Sequence, residues 1–302
     1  MKGGCLKCLQ VFLWIAVIWL GGAYPAAADR PLNVYVVNYP LKYFAQRIGG
    51  DDVKATLPVP EDVDPVYWTP GIADIGAYQQ ADLILLNGAG YAKWVTKVSL
   101  PRSKTVDTSR GFKNRYITVK ETMTHSHGAE GKHAHEGLAF TTWLDLYLAS
   151  EQAEAIAEAL ARRRPQLQDE FRANFQSLEK DLLALDGRIR AIVSANNTVP
   201  IIFSHPVYDY FVKAYGLNGR SVHWEPEQEP SSAQIAELRN LLETHPARWM
   251  IWEGTPVKPA VDVLHAMGIQ SAAFNPCGNV PSDGDFLTVM QQNVVNLEPV
   301  FR

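Results

Sequence analysis

From residue 33 onward, short apolar runs alternate with amphipathic stretches. Asn33-Val34-Tyr35-Val36-Val37 reads as a buried strand, and Asp82-Leu83-Ile84-Leu85-Leu86-Asn87-Gly88 as another that ends at a turn. Between them, Leu41 to Ile48 and Pro70 to Gln80 carry helical spacing. From Ser150 to about Ala195 the period changes. Ile156, Ala159, Leu160, Leu167, Phe171, Phe175, Leu178, Leu182 and Ile189 recur on one helical face, and Pro165 ends or kinks the first helix. The alternation then resumes with a strand over 199–203, a helix from Ser231 to Leu242 and a strand over Trp249–Trp252. A helix over 257–267, a strand over 270–274 and a closing helix from about Asp283 to Leu297 follow. Strands alternating with helices build parallel sheets. The expected class is therefore α/β: two α/β lobes with parallel sheets, joined by a long linker helix, with a ligand cleft between them. The lobes are expected over 29–148 and 196–302, with the helical segment over 149–195.

The first 28 residues have a different pattern. Lys2 and Lys7 precede the apolar run 11–20, and Ala26-Ala27-Ala28 follows it. This is the layout of a cleaved secretory signal. The run is short for a membrane span, and no cysteine directly follows the cleavage site, which argues against a lipid anchor. Loss of Lys2 and Lys7 leaves 26 Lys and Arg against 32 Asp and Glu, moving the net charge from −4 to −6. A chain of that sign is a poor partner for nucleic acid. Cys5 and Cys8 leave as well, so Cys277 remains alone and no intramolecular disulfide is possible.

In open α/β sheets, ligands bind beyond the C-terminal ends of the strands. His205, Glu253 and the turn Asn275-Pro276-Cys277 all follow expected strands, so one sheet edge can collect them. Each also has a plainer reading. His205 can be a core histidine bonded to backbone, Glu253 a solvated loop carboxylate, and Cys277 a small buried apolar side chain. His223 lies in the polar-aromatic run His223-Trp224-Glu225-Pro226 and either lines the same site or belongs to a packed loop. The Gly- and His-rich stretch 123–137 lacks periodicity and reads as a loop; His125, His127, His133 and His135 in it suit zinc, copper or nickel. His245 and His265 read as surface residues. The mature chain lacks a Gly-rich phosphate loop, a Gly-x-Ser-x-Gly elbow and a Cys-x-x-Cys pair, and no nucleophile–base pair marks it as an enzyme.

Several segments in order resemble the periplasmic solute-binding proteins of zinc and manganese ABC transporters. They are Pro58-Val59-Pro60-Glu61-Asp62-Val63-Asp64-Pro65, Ala81 to Gly90, the His-rich loop, Thr142-Trp143-Leu144-Asp145, Phe203-Ser204-His205 through Tyr215-Gly216-Leu217, and Glu229-Pro230-Ser231. The resemblance spans the mature chain. It implies two lobes bridged by a long helix, a metal ion between them, and delivery of that ion to a membrane permease by a monomer. Zinc is the first expectation, with Mn2+, Cu2+ or Ni2+ as alternatives. Of the four positions where the family carries ligands, only His205 keeps one; the others hold Val66, Thr141 and Asn275. The resemblance thus leaves three options. The site is rebuilt around His205, the cleft takes a non-metal ligand between Tyr67, Trp68, Trp143, Trp224 and Trp252, or the His-rich loop alone scavenges metal.

Overall fold

The computed structural model describes residues 30–61, 63–120 and 136–302. Strand β1 (Leu32–Val36) leads into helix α1 (Tyr39–Gly49), which Asn38 caps by accepting from Leu41 N at 3.2 Å. Strand β2 (Val53–Thr56), helix α2 (Ile72–Gln80), β3 (Leu83–Leu86) and β4 (Thr105–Asp107) complete an all-parallel sheet of order β2-β1-β3-β4. A small antiparallel pair, β5 (Thr118–Lys120) and β6 (Glu136–Leu138), follows. Glu136 and Gly137, expected within a structureless loop, therefore belong to a strand.

The helical segment is two helices. α3 (Leu146–Arg163) ends before Pro165, a single 3-10 turn intervenes, and α4 (Gln168–Val193) runs for 26 residues. That is roughly 39 Å of rod at 1.5 Å per residue. Phe171, Phe175, Leu178, Leu182 and Ile189, read from the sequence as one period, lie on the buried face of α4, which Leu185 and Val193 complete. This face packs against α3 and α1 and reaches the last helix of the chain. Each such side chain contributes about 1.5–3 kcal/mol on burial.

The second lobe runs β7 (Pro200–Phe203), α5 (Asp209–Tyr215), β8 (Asn218–Ser221), α6 (Ser232–Thr244), β9 (Trp249–Trp252), α7 (Lys258–Ala266), β10 (Gln270–Ala273) and α8 (Phe286–Leu297). Its sheet is also all-parallel, in the order β10-β9-β7-β8. Gly216 ends α5 in the left-handed conformation (φ 65°), which costs little without a Cβ. One continuous apolar core spans parts of both sheets and the helices between them, and residues 31–302 hold together as one unit. β2, β4 and β8 escape the sequence pattern because they are three or four residues long and stand at the sheet edge or carry polar residues, as in Asn218-Gly219-Arg220-Ser221.

Candidate metal centre

In a parallel sheet every strand delivers its next residues to the same edge. β7 ends at Phe203, and Ser204 N still donates to Ile251 O at 2.8 Å. His205 is thus the first side chain clear of the ladder. β8 pairs with β7 up to Ser221, and two more bonds, Val222 N to Phe203 O (2.9 Å) and Trp224 N to Ser204 O (2.8 Å), carry the chain on to Glu225. β9 stops at Trp252, and Glu253 follows. Three neighbouring strands therefore bring one imidazole and two carboxylates together.

Glu225 Oε1 lies 3.7 Å from His205 Nε2, and Glu253 Oε2 lies 4.0 Å from His205 Nδ1. One ligand atom from each residue fits within 4.8 Å of the others. Among the described residues this is the single group of three or more His, Cys, Asp or Glu side chains so disposed. The imidazole keeps 17% of its side-chain surface exposed, Glu253 25% and Glu225 45%, so an ion can enter from the Glu225 side. The His223 ring stands edge-on to His205 with ring centres 5.3 Å apart.

Burial and the like charges of Glu225, Asp64 and Glu227 push the Glu253 carboxyl up to about 8. Burial also raises Asp64, with Glu225 adding to the shift and Lys93 opposing it. Carboxylates crowded around a histidine cost free energy that a cation between them would remove. Asp64 and Glu225 were not singled out from the sequence. Glu225 sits just beyond a polar edge strand, and its one visible signal is the run His223-Trp224-Glu225. Asp64 lies in a turn before an expected helix.

The loop holding His205 is tightly tied. Tyr208 stacks on Phe203 with ring centres 4.6 Å apart, and its hydroxyl donates to Phe274 O at 2.6 Å. Thr141 donates its hydroxyl to Val207 O, which occupies that side chain with backbone support. Val66 is 4% exposed and packs in the core. The Asn275 side-chain oxygen accepts from Cys277 N at 2.7 Å, closing its own turn. The three departures from the family pattern thus have structural roles here.

Cys277 does not join His205. It is 2% exposed within the apolar core, and burial, with Asp285 nearby, pushes its thiol up to about 12; a neutral thiol is a poor ligand. His125, His127, His133 and His135 lie outside the described residues. His245 is buried rather than on the surface, with Nε2 3.0 Å from Ile201 O. Of the five aromatic residues expected to wall the cleft, Trp143, Trp224 and Trp252 are at most 2% exposed and belong to the core, Trp68 is partly buried against it, and Tyr67 is exposed. Trp143 donates to Pro276 O at 2.7 Å.

Fold and side-chain geometry together define a two-lobed α/β protein with a candidate cation site at a sheet edge. Residues 34–299 match the family model described as the periplasmic component A of a zinc-uptake complex, ZnuA, and the chain belongs to that family. It is 26% identical over 288 residues to the zinc-binding protein AdcA of Streptococcus pyogenes, covering 89% of this chain and 56% of AdcA. The chain thus spans about half the length of these streptococcal relatives. It is 24% identical over 290 residues to the high-affinity zinc uptake system protein ZnuA of Bacillus subtilis, covering 90% of this chain and 88% of that one. Among solved structures, the metal-dependent lipoprotein YcdH of B. subtilis superposes with a TM-score of 0.76 at 22% identity, covering 89% of this chain and 98% of that one. The Zn(II)-bound ZnuA-like domain of Streptococcus pneumoniae AdcA superposes with a TM-score of 0.74 at 19% identity, covering 90% and 99%. These two likenesses establish the fold.

Proposed function

We propose that the protein is the solute-binding component of a zinc-type ABC transporter, which captures a divalent metal ion in the periplasm and hands it to a membrane permease. The observation that carries this reading is the meeting of His205, Glu225 and Glu253 at one sheet edge. Imidazole nitrogen and carboxylate oxygen are both zinc donors, and zinc appears in the names of the relatives. His223 stands next to the group as a further nitrogen. In this reading the ion is cargo, the chain acts as a monomer without catalysis or nucleic acid, and α3 and α4 over 149–195 are the spine between lobes 29–148 and 196–302. Among the described residues no helix is long and apolar enough to cross a membrane.

Calorimetric titration of the mature protein with Zn2+, Mn2+, Cu2+ and Ni2+ tests the reading. The expected result is saturable binding of one ion, with zinc tightest, and its loss in His205→Ala. A variant with His125, His127, His133 and His135 all changed to Ala should keep that binding. If only this loop variant loses it, metal is held by the loop and the sheet-edge site fails. If no ion binds saturably, the metal reading fails altogether.

A further inference from the structure

His205 meets two carboxylates, and it meets them at different nitrogens of its ring. Glu225 Oε1 is nearest to Nε2, at 3.7 Å, and Glu253 Oε2 is nearest to Nδ1, at 4.0 Å. The two ring nitrogens point away from each other, and in a neutral ring one carries the proton while the other accepts. One ion therefore bonds one nitrogen and leaves the other with a proton to place. The two carboxylates that share the sheet edge with His205 are thus not equivalent toward it.

Burial separates their tasks. Nδ1 is shut off from solvent. Glu225, beside Nε2, is 45% exposed, and Glu253, beside Nδ1, is 25% exposed. Backbone anchoring separates them in the same way. Trp252 O, just before Glu253, accepts from Phe274 N at 2.7 Å, and Val257 N beyond it donates to Pro226 O at 2.8 Å. Glu253 therefore stands at the end of an inner strand paired on both sides. Glu225 sits past the edge strand β8, in a turn where Gln228 N donates to Glu225 O at 3.2 Å.

We propose that the ion binds His205 through Nε2, with Glu225 as its carboxylate donor, and that Glu253 is a positioning residue that accepts the Nδ1 proton. The proposal rests on the reading of this edge as a metal site and divides the work within it. A histidine that binds metal usually gives its other N–H to a carboxylate or carbonyl, which fixes the tautomer and ring angle and raises the ring's basicity. Such a bond is about 2.8 Å long, so the 4.0 Å separation must close by a rotation of the Glu253 side chain as the ion seats. The ion completes its shell from the solvent side.

The test is zinc titration of the mature wild type, Glu253→Gln and Glu253→Ala, with long-range proton–nitrogen NMR correlation of the isotope-labelled proteins at saturation. The His205 signals are those that His205→Ala lacks. Zinc-loaded wild type should show His205 protonated at Nδ1 and metallated at Nε2. Glu253→Ala should weaken zinc about 10- to 100-fold. Glu253→Gln keeps an oxygen that accepts from Nδ1–H, so it should recover most of that loss with the tautomer unchanged. An amide oxygen is not among the usual zinc donors, so a Glu253 that bound the ion itself would make Gln as damaging as Ala. That result, or a His205 metallated at Nδ1, would overturn the proposal and leave the sheet-edge site standing. Wild-type His205 signals that ignore zinc would sink the site itself, and this proposal with it. Should Glu253→Ala fail to fold, the wild-type tautomer decides alone.

Discussion

Replacing Glu253 by Gln in the metal-free protein should make stability less dependent on pH, and the size of the effect follows from the site. The carboxyl moves from an ordinary value of 4.5 to about 8 on folding, mainly through burial and next through Glu225. A group with a raised folded value lends stability that is fully present below its unfolded value and is lost as pH rises through the folded one. Between about pH 5.5 and about pH 7.5 the unfolded chain has released this proton and the folded chain has kept it, so the slope approaches one proton, about 1.4 kcal/mol per pH unit. Over that interval wild type should lose about 3 kcal/mol relative to Glu253→Gln. In a domain of this size that is roughly 6–12 °C in melting temperature. Thermal unfolding in the presence of a chelator, at several pH values for both proteins, reads it directly. Parallel melting curves for the two across that range would refute the claim that Glu253 is protonated in the folded, metal-free site.

The same shift predicts that metal binding at about pH 7 releases close to one proton, because the ion displaces it from Glu253; calorimetry in buffers of different ionisation enthalpy counts it. Saturating metal should raise the melting temperature, and a chelator should reverse the rise. Thr141→Val removes the hydroxyl that serves the Val207 carbonyl and should cost about 1–3 kcal/mol in chemical denaturation. Leu182→Ala, in the buried face of α4, should cost about 2–5 kcal/mol in the same assay without changing which ion binds.

Much of this architecture is legible in the residue pattern because both sheets are parallel. Their central strands are continuous apolar runs, such as Leu83-Ile84-Leu85-Leu86 and Trp249-Met250-Ile251-Trp252, and the helical face from Ile156 to Ile189 is buried as its spacing implies. His205 and Glu253 were readable for the same reason, since each directly follows such a run. Glu225 was not, because β8 is an exposed polar edge strand whose pairing comes from β7 rather than from its own hydrophobicity. Cys277 has the right position along the chain, after β10, but the turn folds it into the core. His245 looked like a surface residue because no local period marks it; a tertiary contact with the Ile201 carbonyl buries it.

The rod formed by α4 bears on what a membrane partner could sense. Its face packs against α1 of the first lobe and α8 of the second. It runs from Gln168 to Val193 without a proline, and with Gly187 as its one glycine. A hinge needs residues that absorb large backbone rotations, and this strut offers few. Loading would then change the outline of the molecule little. What it would change is the charge of a small patch of surface, where two positive charges arrive as one proton leaves Glu253 and an acidic recess becomes less negative. A transporter that must tell the loaded carrier from the empty one would be reading charge more than shape.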